Sequence, residues 1–132
     1  MRVVIFLVTL LSGCVYTIYD DYGGLLSERI DLIEQYKDRD IPVEIAGKCF
    51  SSCTMHLKDG CVYPDAVLGF HSAVNKDGEY SVIGTMLMTA YYPPDLEFWF
   101  WTTEASSITG KDMIYITGQQ AIKLGAKECK KR

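Results

Sequence analysis

Residues 41–60 read IPVEIAGKCFSSCTMHLKDG. The first seven, marked off by Pro42 and Gly47, carry Val43 and Ile45 and predict a short strand. The pattern then changes. Serine suits the start of a helix, so Ser51 or Ser52 opens one, and Gly60 suits its stop. A strand therefore passes into a helix at two adjacent serines, fenced by Cys49 and Cys53.

Upstream, Gly23-Gly24 breaks the chain after VYTIYDDY (15–22). LLSERIDLIEQYKDRD (25–40) then sets Leu26, Ile30, Ile33 and Lys37 on one stripe, with Leu25, Leu32 and Tyr36 beside it. Charges fill the other face, which is the spacing of an amphipathic helix. Downstream, AVLGFH (66–71) predicts a buried strand ending at His71, and YSVIGTMLMTAYY (80–92) a helix. Pro93-Pro94 opens another helix through DLEFWFWTTEA (95–105). Its FWFW run is too dense for a one-sided helix and predicts core packing with one exposed aromatic ring. TGQQAIKLGAKEC (117–129) predicts a last short helix, capped by Thr117 and closed at Gly125. Strands alternating with helices predict an α/β fold with a parallel sheet and right-handed crossovers. In open parallel sheets, sites form outside the carboxyl ends of the strands, where Ser51, Ser52 and His71 fall.

The chain has 132 residues, enough for one domain with a modest core. Its formal charge of −4 gives no basic surface for nucleic acid. At the start, MRVVIFLVTLLSGC places Arg2 before an apolar run from Val3 to Leu11. The run is too short to span a bilayer as a helix and suits a secretory leader; a buried strand is the alternative. Leu11-Ser12-Gly13-Cys14 resembles a bacterial lipobox, which implies a leader over 1–13, a lipid on Cys14 and a domain over 14–132. The partner implied is a membrane, held through that anchor. Loss of Arg2 brings the charge to −5, which offers no attraction to anionic lipid. The implied location is the exported, periplasm-facing cell envelope. In a Gram-negative host, Val15 rather than aspartate after the cysteine favours the outer membrane.

Five cysteines fit export. With Cys14 given to the lipid, Cys49, Cys53, Cys61 and Cys129 remain, an even number that predicts two disulfides. Zinc is the alternative. The CxxxC spacing is looser than a zinc knuckle, and neither His56 nor His71 has finger spacing. Four cysteines allow three pairings.

A serine hydroxyl becomes a nucleophile only with a base to take its proton and donors to hold an oxyanion. A helix start and a Gly-Gly turn both supply free amides. His71 ends a strand at the same carboxyl edge and is the candidate base. His56, inside the serine's own helix, predicts a structural role.

The ordered set resembles the Clp proteolytic subunit and the wider crotonase-like fold. It is closer still to small exported Clp-like bacterial proteins: Gly23-Gly24, then GKCFSSCT (47–54), CVYPDAVLGFH (61–71), YPPDLEFW (92–99) and Cys129. The likeness spans roughly residues 17–129 and implies a crotonase/Clp-like small parallel sheet with flanking helices. Carried over, Ser51 matches the nucleophile, His71 the general base, and the Gly24 and Ser52 amides the oxyanion hole. The family's aspartate falls at Met113, with Asp112 adjacent. The chain after the last helix of such folds returns to the sheet, which implies Cys61 with Cys129 and leaves Cys49 with Cys53. The function implied is a lipid-anchored serine hydrolase acting on a peptide or ester, with no cofactor or metal. The alternative is a non-catalytic envelope lipoprotein that keeps the fold for binding. No oligomeric state follows from the residues.

Overall fold

The computed structural model describes residues 14–131. The leader expected over 1–13 lies outside them. The chain runs β1 (Tyr16–Asp21), α1 (Leu26–Asp38), β2 (Val43–Phe50), a 3₁₀ helix (Ser51–Leu57), β3 (Cys61–Val62) and β4 (Val67–Phe70). It continues through α2 (Val82–Thr89), α3 (Pro94–Thr102), a short 3₁₀ turn (Glu104–Ser106), β5 (Ile114–Thr117), α4 (Gly118–Lys123) and β6 (Lys127–Glu128).

The sheet is built around β2. β1 lies parallel along one side of it, from Tyr16 opposite Val43 to Asp21 opposite Cys49. The other side is shared: β3 pairs with Glu44 and Ile45, and β4 with Lys48, Cys49 and Phe50, both parallel. β6 extends the sheet parallel to β3. β5 runs antiparallel to β4, with Ile116 opposite Leu68. The fold is thus mixed α/β with a mostly parallel sheet and flanking helices. The expectation of helices alone after His71 is corrected by β5, whose four residues IYIT carry two β-branched isoleucines, a tyrosine and a threonine.

The core follows the sequence pattern. Val43, Ile45 and Cys49 of β2, Leu68 and Phe70 of β4, and Met55 and Leu57 of the 3₁₀ helix are buried. Leu96 and Phe100 of α3 and Met88 of α2 close over them; Phe98 and Trp101 both stay exposed, so the FWFW run turns two rings outward rather than the one expected. A register shift in β1 between Ile18 and Asp20 turns the Tyr19 carbonyl toward Gly47. Any Cβ at Gly47 would overlap that carbonyl, so only glycine fits there.

On α1 the apolar stripe meets the core through Ile33. Lys37, read as part of that stripe, is exposed. The charge that turns inward is Arg29, 8% exposed and one turn from Leu26 and Ile33. Thr117 caps α4 in a reciprocal capping box with Gln120, as its position before the helix predicts.

Two disulfides tie the sheet to its surroundings. Cys49 of β2 bonds Cys53 of the 3₁₀ helix, and Cys61 of β3 bonds Cys129 just after β6. These are the pairs the resemblance implied, and with all four thiols so used the zinc alternative falls away. Cys14 is a free, exposed thiol. Two such bonds suit an oxidising compartment outside the cytosol. No helix among the described residues is long and apolar enough to cross a membrane.

Candidate active site

The parallel pairing of β2 with β4 puts Phe50 opposite Gly69. The residues that follow each strand therefore emerge at one edge. Ser51 begins the 3₁₀ helix, His71 follows β4, and Ser51 Oγ lies 2.7 Å from His71 Nε2. Both side chains are half-buried.

Ser51 has φ 57°, in the left-handed region that disfavours a residue with a Cβ. Holding a non-glycine residue there costs on the order of 1–3 kcal/mol, and such residues cluster at functional sites. The Cys49–Cys53 bond brackets it on both sides. Ser52 is a different kind of residue. It is fully buried, and its Oγ has no hydrogen-bond partner. Its hydroxyl does not cap the helix and does not reach His71. Its N–H belongs to the first turn of the helix, where amides lack an intrahelical acceptor.

The glycine turn closes over the nucleophile. Gly23 has φ 98°, and a Cβ there would fall 2.7 Å from Ser51 Cβ. The Gly23 N–H donates to Asp21 Oδ1 at 2.9 Å. Gly24 has φ 139°, and among the described residues its N–H donates to no protein group. A cleft of about 300 Å³ joins Gly24, Ser51, His71, Ala73, Val74 and Met88. A second cleft, about 310 Å³ and lined by Ile33, Tyr36, Val43 and His56, touches neither Ser51 nor His71.

Burial lowers the His71 pKa below its ordinary 6.5, opposed by the nearby Gly110 backbone. His71 Nδ1 is buried and makes no bond of hydrogen-bond geometry. Asp112, expected nearby as an acid, is exposed in the segment before β5 and makes no hydrogen bond to either ring nitrogen of His71. Met113 instead turns its sulfur toward Gly69, against the strand that carries His71. The structure thus brings Ser51, His71 and Gly24 to one cleft and leaves Asp112 outside it. Among the described residues, no group of three His, Cys, Asp or Glu side chains is arranged to hold a metal ion.

Behind the cleft, His56 has the structural role expected of it, held by two residues the sequence did not single out, Asp21 and Arg29. Arg29 Nη2 donates to Asp21 Oδ1 at 2.7 Å and Nη1 to Oδ2 at 2.8 Å. Arg29 Nη1 also lies 3.0 Å from His56 Nε2. Burial first, then the Arg29 charge, pushes the His56 pKa down to about 4. A neutral ring therefore accepts from Arg29. The available signal was Arg29 itself, a charge three residues after Leu26 and four before Ile33 on an apolar face.

The chain matches no protein-family model and no curated protein. The Clp-like resemblance rests on the motifs alone.

Proposed function

We propose that the protein is a serine hydrolase of the envelope, acting on a peptide or ester. The observation that carries this reading is the 2.7 Å contact between Ser51 Oγ and His71 Nε2 in an open cleft. Acyl transfer follows from it. Neutral His71 accepts the Ser51 proton on Nε2 as Oγ attacks the carbonyl. The Gly24 and Ser52 N–H groups are the candidate donors to the oxyanion. The imidazolium returns the proton to the leaving group, and water then releases the acyl group by the same route. In triads, loss of the correctly placed acid costs about 10⁴ in kcat. With no carboxylate on Nδ1, the expected enzyme is slow and favours activated acyl groups.

A fluorophosphonate probe tests the reading. The oxidised wild type should label, Ser51→Ala and His71→Ala should not, and Ser52→Ala should keep most labelling. Labelling lost in Ser52→Ala but kept in Ser51→Ala would show the other serine to be the nucleophile. The lack of a carboxylate on His71 Nδ1 favours the second reading, a Clp-like fold kept for binding, and an unlabelled folded wild type would support it. Attachment through a lipid on Cys14 is part of the proposal, supported by the exposed thiol and the motif before it. Labelled palmitate should enter the wild type and not Cys14→Ser.

A further inference from the structure

Behind the cleft lies an ion pair that serine chemistry does not itself call for. Arg29 is 8% exposed, Asp21 18%, and the two meet through both guanidinium nitrogens and both carboxylate oxygens. Taking such a pair out of water costs about as much as its attraction returns, so burial of this kind is weak evidence for stability. What it supplies is geometry, because a planar fork on a carboxylate fixes both groups in orientation.

The bonds on either side show what is being oriented. Asp21 ends β1 and accepts the Gly23 N–H. Burial alone would raise its pKa, but the Arg29 fork and the Gly23 N–H outweigh burial and hold it below the ordinary value. Arg29 comes from α1, the helix that follows the glycine turn. His56 comes from the 3₁₀ helix that begins at Ser51. One guanidinium therefore links both ends of the turn to the segment carrying the nucleophile. Gly23 sits where a single added carbon would strike Ser51, so a small displacement of the turn is felt at Oγ.

We propose that Asp21, Arg29 and His56 form a positioning brace that sets the Gly23–Gly24 turn against Ser51, so that the free Gly24 N–H faces the reacting carbonyl. For its catalytic consequence this rests on the serine-hydrolase reading; for its geometry it does not. None of the three residues lines the cleft that holds Ser51 and His71. They act through the turn.

Two measurements on the full oxidised chain test the brace. The first is amide hydrogen exchange of Gly23 by NMR in wild type, Arg29→Met and the charge-free double variant Asp21→Asn/Arg29→Met. The expected result is at least tenfold faster exchange at Gly23 in Arg29→Met, with Leu68 in β4 unchanged. The double variant covers the case in which an unpaired buried Asp21 unfolds the single one. The second is fluorophosphonate labelling, separated into probe affinity and the first-order inactivation constant. A misplaced donor should lower that constant about 10- to 100-fold and leave affinity unchanged. Arg29→Lys, which keeps the charge without the fork, should recover part of the loss. Unchanged Gly23 exchange in the folded variants overturns the proposal, as does faster exchange with an unchanged inactivation constant. A wild type that never labels overturns the hydrolase reading instead, and exchange at Gly23 still decides the brace.

Discussion

Acidification should destabilise this protein in a window set by His56. The unfolded chain protonates a histidine near pH 6.5, whereas folded His56 stays neutral down to about pH 4. Between those values the unfolded state binds more protons, so stability falls as pH drops from 6.5 to 4. The buried ring, 3% exposed beside the Arg29 guanidinium, makes this on the order of 3 kcal/mol. That is a large share of a typical folding free energy of about 5–15 kcal/mol. His71, whose pKa is also lowered, acts in the same direction. Asp21 does not contribute in this window. Its folded pKa lies below 3.8, so its stabilisation is lost only in stronger acid. Urea unfolding followed by the fluorescence of Trp99 and Trp101 gives the measurement. With a slope of roughly 1–3 kcal/mol per molar urea, the midpoint should fall by about 1–3 M between pH 7 and pH 4. His56→Gln, whose amide oxygen can accept from Arg29, should remove most of that fall. A wild-type midpoint that is flat over this range would refute the reasoning, and so would an undiminished fall in His56→Gln.

Replacing both Cys61 and Cys129 by alanine removes a bond that closes 68 residues and should cost about 4 kcal/mol, read from urea midpoints. The Cys49–Cys53 bond spans only 4 residues and should cost less, about 2 kcal/mol, so a reversed order would contradict the chain-entropy account. Ser52→Ala deletes a buried hydroxyl that has no partner and should raise stability by about 1 kcal/mol; a loss in thermal or urea midpoint would mean the hydroxyl is satisfied.

Much of the architecture is local and therefore legible. The amphipathic spacing of α1, the Pro-led start of α3 and the Thr117 cap each act within a turn or two of helix, where neighbouring side chains set the outcome. The strands before Ser51 and His71 were readable because short apolar runs ended at glycine or at a change of period. β3 and β6 were not readable, at 2 residues each, since pairing partners define them rather than propensity. Arg29 was misassigned to a solvated face because nothing within α1 reveals Asp21 and His56 waiting on the inner side.

By itself the sequence determined that a serine pair and a histidine each follow a strand in a mixed α/β chain, and that glycines precede them both. Those are consequences of side-chain period and backbone freedom, which act at short range. Only the tertiary structure brought one serine of the pair to the histidine. Pairing Phe50 with Gly69 across parallel strands carries Ser51, and not Ser52, to within 2.7 Å of His71. It also decided that Asp112 stays in solvent while Met113 turns toward Gly69. Register and packing between segments distant in the chain make these choices, and a one-residue slip in either strand would turn the same side chains to the opposite face.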